Sequence, residues 1–199
     1  TGNEIMSGDT VDSNYALIAQ RLGEVGIGVY RKVTVGDDVA LLQTELAAMV
    51  ATADLVIVNG GLGPTIDDLT AEILAAVAGV SLQEHPQAVA HLQQWCNKRN
   101  LELNAANFKQ AMLPAGASIV DNPVGSAVGF EMVLGDCRVI CTPGVPSELI
   151  AMMGDIVGTL AARLQRPPGR NILRLQTFGL GESTAQQIIS DNVTDWPQE

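Results

Sequence analysis

The stretch "VNGGLGPTIDD" (Val58–Asp68) joins an apolar run to three glycines, a proline and two adjacent aspartates. Glycines let a backbone adopt positive φ and come close to a ligand. A helix that follows such a loop offers unpaired N–H groups and the positive end of its dipole to an anion. Gly60, Gly61 and Gly63 are therefore candidate phosphate-binding positions. The loop is neither GxxxxGK[ST] nor GxGxxG, so neither nucleotide fingerprint applies. Asp67 and Asp68 either cap the next helix or face the ligand.

"VGDD" poses the same choice: one of Asp37 and Asp38 caps a helix, and the other faces the sheet edge it shares with Asp68. Two carboxylates meeting at a sheet edge make a natural magnesium site, since Mg²⁺ takes one or two carboxylates plus substrate phosphate oxygens. "TGNEIMSGDTVDSN" adds Glu4, Asp9, Asp12 and Asn14, and "TPGVPSE" adds Glu148 at a helix start. Lys109, in "NFKQAMLP", is a surface lysine by default and a candidate partner for a phosphate. His85 and His91 lack ligand spacing and read as surface or packing residues. No GxSxG elbow, HExxH or zinc-type cluster is present.

These residues need a scaffold, and the chain spells one. Tyr15, Ile18, Leu22 and Val25 recur at helical spacing within 12–26, Gly28–Val35 reads as a strand, and 38–52 as a second helix. "DLVIVN" (Asp54–Asn59) is short and β-branched, as expected of a strand buried on both faces. A third helix is expected over 67–78 and a fourth over 85–100. Ser118–Val120 follows, then candidate strands 131–134 and 138–142 joined at Gly135-Asp136. A helix reaches about Leu164, a strand covers Asn171–Phe178, and a last helix opens at Glu182. Strand–helix alternation of this kind predicts βαβ units and a mainly parallel sheet, with candidate loops beyond its carboxyl edge.

The chain has 199 residues, 47% hydrophobic and 17% charged, enough for a packed core. Eleven basic against 22 acidic residues give a net charge of −11, which argues against nucleic-acid and anionic-membrane partners. No apolar run is long enough to span a bilayer. Cys96, Cys137 and Cys141 lack CxxC spacing and read as reduced thiols of a cytoplasmic protein.

In order, "TGNEIMSGDTVDSN", "TVGDD", "NGGLGPTIDDLT", "NFKQAMLP", "NPVGSAVGF", "TPGVPSE" and "TFGLGES" resemble the CinA (competence/damage-inducible protein A) family over nearly the whole chain. The match is to that family's N-terminal region, which is similar to the MoaB/Mog molybdopterin-binding fold. The resemblance implies a three-layer α/β/α sandwich over 1–165 and a small β-rich appendage beginning over 166–199. It implies metal-dependent cleavage of ADP-ribose to AMP and ribose 5-phosphate, in a homodimer. It places the acidic positions of the pocket on Asp37 and Asp68, the glycine loop on Gly60, Gly61 and Gly63, and a Pro-Gly turn on Pro143 and Gly144. The family carries an apolar strand ahead of "TGNE". Many relatives continue into a nicotinamide-nucleotide amidohydrolase domain, an activity not assigned to this chain.

The working expectation is thus a hydrolase acting on a small-molecule nucleotide, with Asp37, Asp68 and Glu148 as catalytic carboxylates. A divalent ion (Mg²⁺, Mn²⁺ or Co²⁺) would sit on Asp37, Asp68 and Asp9. Gly60, Gly61, Gly63, Thr65, Asn14, Lys109, Asn122, Pro143 and Gly144 would bind substrate. A molybdopterin-binding or adenylyl-transfer domain uses the same pocket, and a non-catalytic interaction module uses none of it.

Overall fold

The computed structural model describes residues 1–164 and 177–192, apart from the side chains of Glu4 and Leu164. Most of the expected strand Asn171–Phe178, and with it the start of the β-rich appendage, lies outside the described residues. In chain order the elements are α1 (Asn3–Met6), α2 (Ser13–Glu24), α3 (Val39–Val50), β1 (Leu55–Asn59), α4 (Thr70–Ala78), β2 (Leu82–Glu84) and α5 (Pro86–Lys98). Then come α6 (Ala105–Phe108), a 3₁₀ turn (Lys109–Ala111), β3 (Met112–Pro114), β4 (Ser118–Val120), β5 (Gly129–Leu134), β6 (Cys137–Thr142), α7 (Pro146–Leu164) and α8 (Glu182–Asn192).

Local chemistry sets most of these boundaries. The Asp12 side chain accepts the Tyr15 N–H (3.0 Å) and starts α2, and Asp38 accepts the Leu41 N–H (2.8 Å) and starts α3. Pro86 opens α5 at a position whose N–H would be orphaned in any case. Gly79, left-handed at φ 68°, stops α4.

The main sheet runs β1-β6-β5-β4, and β2 pairs antiparallel with β3 in a second, small sheet. β1 and β6 are parallel in a register that runs from Leu55 beside Arg138 to Asn59 beside Thr142. The β6–β5 and β5–β4 pairs are antiparallel. The sheet is therefore mixed, because a two-residue turn at Gly135-Asp136 can join only antiparallel neighbours.

Strand pleating divides the core in two. Val56, Phe130, Val139 and Cys141 join Leu46, Ile73, Leu74 and Leu92 from α3, α4 and α5. Ile140, with Leu55 and Ile57 against it, joins Ile18 and Leu22 of α2 and Leu149, Met152, Met153 and Ile156 of α7. Helices on both faces of one sheet make a three-layer α/β/α sandwich.

Residues 27–36 include an expected strand, yet they form no ladder. They face β1 across a groove of about 500 Å³ lined by Tyr15, Ile18, Leu22, Val29, Leu55 and Ile57, which keeps the two backbones beyond hydrogen-bonding reach. At the groove's end the Thr1 ammonium donates to the Asn59 carbonyl (2.7 Å) and the Gly2 N–H donates to the Val35 carbonyl (3.2 Å).

Leu149 is fully buried between α7 and the sheet. Leu149→Ala is expected to lower unfolding free energy by about 2–5 kcal/mol in urea titration, the range for truncating a buried leucine.

Candidate functional site

The parallel β1–β6 register brings Asn59 and Thr142, the last residues of both strands, to one edge. The Asn59 amide donates to the Thr142 hydroxyl (3.1 Å) and the Pro143 carbonyl (2.7 Å). Asn14, buried at the start of α2, donates to Asn59 Oδ1 (2.8 Å) and the Gly144 carbonyl (2.7 Å). Two asparagine side chains thus tie together the loops after β1 and β6 and the start of α2. The backbones come close enough that a Cβ on Gly144 would lie 3.3 Å from Gly60 Cα.

The glycine loop leaves this edge with φ 102° at Gly60 and 71° at Gly61, both in the left-handed half of backbone space. Gly63 does not share that conformation. Its smallness is needed because a Cβ there would overlap the Asp68 carboxylate. The Gly60 N–H is engaged with the Thr142 carbonyl (2.9 Å), and Thr70 holds both glycine carbonyls: its hydroxyl donates to Gly60 O (2.7 Å) and its N–H to Gly61 O (3.1 Å). Among the described residues, the N–H groups of Gly61, Leu62 and Gly63 have no protein acceptor. Beyond them α4 begins at Leu69 with no side-chain cap.

Asp67 and Asp68 precede α4 and cap nothing. Asp68 Oδ2 accepts the Thr65 N–H (2.9 Å) and hydroxyl (2.6 Å), and the Thr65 hydroxyl also meets Asp67 Oδ1. The Thr65 hydroxyl, the Asp67 backbone N–H and the nearby Lys109 ammonium hold the exposed Asp67 carboxyl below the ordinary aspartate range. Lys109, a candidate partner for phosphate in the sequence, is otherwise engaged. Its ammonium donates to the Thr65 and Asp68 carbonyls (2.7 Å each) and lies 3.4 Å from Glu72.

Asp38 is the helix cap, which leaves Asp37 on the edge. Its carboxylate accepts the Asn3 N–H (3.3 Å) while its own N–H donates to Asn3 Oδ1 (3.2 Å). Asp9 accepts from Ser7 (2.6 Å). Asp12 pairs with Lys32 (2.7 Å). Partial burial opposes its ionisation, but Lys32 and the Tyr15 N–H outweigh this and lower its pKa. Among the described residues no three His, Cys, Asp or Glu side chains gather as a metal cluster, so Asp9, Asp37 and Asp68 form no three-carboxylate clamp.

Asn122, 1% exposed, braces its own loop by accepting the Val124 and Gly125 N–H groups (3.1 and 3.0 Å). It also donates to the Ala127 carbonyl and to Glu148 (2.7 Å each). His91 Nε2 donates to the Gly125 carbonyl (3.0 Å), a packing role. Asn59 and Thr70 shape the candidate site, and the sequence alone does not single them out. Each is a single polar residue at an element boundary, and the available signal is its position just before or just after the glycine loop.

A doubly covered α/β sandwich with an anion-type loop at the end of a parallel strand defines the class. The family of probable molybdopterin binding domains matches residues 1–162. MoaB from Thermus thermophilus, 17% identical, superposes with a TM-score of 0.51 over 85% of this chain and 94% of its own, which shows the shared fold. The structure of CinA from Thermoplasma acidophilum, described as of unknown function, is 34% identical with a TM-score of 0.73, over 80% of this chain and 94% of its own. The chain belongs to the molybdopterin-binding-domain family and, within it, to the CinA-type proteins.

A CinA-like protein of Colwellia psychrerythraea is 52% identical over 198 residues, 99% of this chain and 46% of that protein. A Shewanella oneidensis protein named nicotinamide-nucleotide amidohydrolase PncC is 41% identical over 184 residues, 92% of this chain and 43% of that protein. The chain spans about half the length of these curated relatives. Two expectations are corrected. The ADP-ribose hydrolase assignment does not stand, because the family is a molybdopterin-binding one and these relatives carry CinA-like and amidohydrolase names. Setting nicotinamide-nucleotide amidohydrolase activity aside does not stand either, since a relative matching nearly all of this chain bears that name. The hydrolase reading took the edge carboxylates as catalytic by residue type alone, and residue type does not distinguish such a role from bracing a loop, as Asp68 does for Thr65 and Asp37 for Asn3.

Thr65→Val removes the leading cause of the Asp67 shift and is expected to raise its pKa toward the ordinary aspartate value. A group with a lowered folded-state pKa adds stability at neutral pH and loses it as pH falls through that value. Carboxyl NMR titration of both proteins measures the change, and an unmoved Asp67 would contradict the assignment.

Proposed function

We propose that this domain binds a phosphorylated pterin-type heterocycle at the β1–β6 edge, with a phosphate on the N–H groups of Gly61, Leu62 and Gly63. One observation carries this reading: three successive backbone donors, in residues that are all at least half-buried, lack a protein acceptor beside an uncapped helix start. Buried N–H groups are rarely left unpaired, and a row of them forms an anion-binding concavity. The match to the probable molybdopterin binding domain family supports the choice of ligand class.

The proposal includes a divalent cation as companion of the phosphate. Asp37 and Asp68 each have one carboxylate oxygen in a protein hydrogen bond and a second oxygen left over. Bound there, a cation would screen the phosphate from the rim carboxylates. The protein's own part is to hold the donors, orient the loop and keep Thr65 fixed.

A second reading rests on the Shewanella oneidensis relative's name. A nicotinamide mononucleotide also presents a phosphate and an aromatic heterocycle, and the same donors suit it. Three buried free cysteines fit a reducing, cytoplasmic setting. Among the described residues no helix is long and apolar enough to cross a membrane.

Calorimetric titration with molybdopterin, inorganic pyrophosphate and nicotinamide mononucleotide, each with and without Mg²⁺, separates these readings. Molybdopterin and pyrophosphate are expected to compete for one site, more tightly with Mg²⁺. Gly61→Ala, strained by its positive φ and by overlap with the Thr70 hydroxyl, is expected to weaken both by about tenfold or more. Absence of binding by the unaltered protein would overturn the reading, and preferential binding of nicotinamide mononucleotide would favour the second.

A further inference from the structure

We infer that Lys109 is a positioning residue for the anion loop, acting through its shape and charge without touching the ligand. The inference rests on the binding reading above. Three N–H bonds leave a lysine ammonium, and each has a neighbour here: the Thr65 carbonyl, the Asp68 carbonyl and, more distantly, Glu72. No donor remains for a phosphate. The adjacent Gln110, 8% exposed, donates to the Leu62 carbonyl (3.3 Å). Two consecutive residues of one 3₁₀ turn thus grip the loop at three carbonyls, Leu62, Thr65 and Asp68. Held by its carbonyls, the loop leaves the opposite polar groups, the N–H donors of Gly61 to Gly63, as the ones free for an anion.

The charge matters as well as the grip. Asp67 and Asp68 place two negative groups within the loop that receives the phosphate, and Lys109 is the cation bound to that turn. Without it, the turn would carry two uncompensated carboxylates next to an incoming anion, and like charges at short range disfavour both.

Lys109→Met keeps the stem and removes charge and donors. Lys109→Arg keeps the charge on an altered donor geometry. Two readouts separate positioning from plain folding: pyrophosphate affinity, and hydrogen exchange of the Thr65 and Asp68 amides in the ligand-free protein. For Lys109→Met the expected result is about tenfold weaker pyrophosphate binding and faster exchange at Thr65 and Asp68. Exchange in β1 and β6 should stay unchanged. Lys109→Arg should keep that exchange closer to the unaltered protein than Lys109→Met does.

Weakened binding with unchanged exchange would mean direct ligand contact and overturn the inference. So would Lys109→Met behaving like the unaltered protein in both. If the unaltered protein binds no pyrophosphate, the binding reading fails. The exchange arm then still decides whether Lys109 organises the loop.

Discussion

Everything at the functional edge depends on keeping two parallel strand ends side by side while their chains depart in different directions. The ladder cannot do this alone, because it ends at Asn59 and Thr142. Asn59 continues it with a side chain: its amide bonds reach Thr142 and Pro143, and its carbonyl accepts from Asn14. A buried amide left without partners is unfavourable by about 1–3 kcal/mol, so the four groups stabilise one another or none of them. The near contact of Gly60 and Gly144 follows from the same tie, and so does the start of the glycine loop.

From that anchor the loop's shape propagates outward through carbonyls. Thr70 holds those of Gly60 and Gly61, Gln110 that of Leu62, and Lys109 those of Thr65 and Asp68. Five successive attachments from two separate elements leave little freedom, and the N–H groups of Gly61, Leu62 and Gly63 stay free. Preorganised donors lose little on binding, since the loop need not be ordered by the ligand.

Much of this is legible in the sequence because the signals are local. Asp12 and Asp38 sit ahead of apolar periods and cap as such residues do, and Gly135-Asp136 makes the hairpin turn. The glycine loop announces itself by composition, and the ordered motifs mark the family. What is not legible depends on distant geometry. Residues 28–35 have strand composition yet pair with nothing in a ladder among the described residues, because a strand needs a neighbour at ladder distance. The three-residue strands β2 and β3 are too short to show a period and exist only through each other. Asp68, Lys109 and Asn122 have residue types that suit ligands equally well as loop braces, and only their partners tell the two apart. The chemistry is misleading for that reason: a carboxylate at a sheet edge reads as facing outward, whereas Asp68 accepts from Thr65 and Asp37 from Asn3.

An acidic protein proposed to receive an anion is a contradiction only if recognition is attributed to net charge. With 22 acidic and 11 basic residues, the far field opposes a phosphate, but salt screens that field over roughly 8–10 Å at physiological strength. Within that distance the relevant groups are few: unpaired N–H donors, an uncapped helix start, two rim carboxylates, and one ammonium bound to the turn. Backbone dipoles have no counter-charge to desolvate, so they bind an anion without the penalty of a buried cation. In the proposed binding mode the carboxylates would oppose a bare anion, whereas a phosphate that brings its own divalent cation would turn the same groups into partners. In that mode the aspartates of the glycine loop would favour a metal-loaded phosphate, and Lys109 would keep the empty loop from being pushed apart by them.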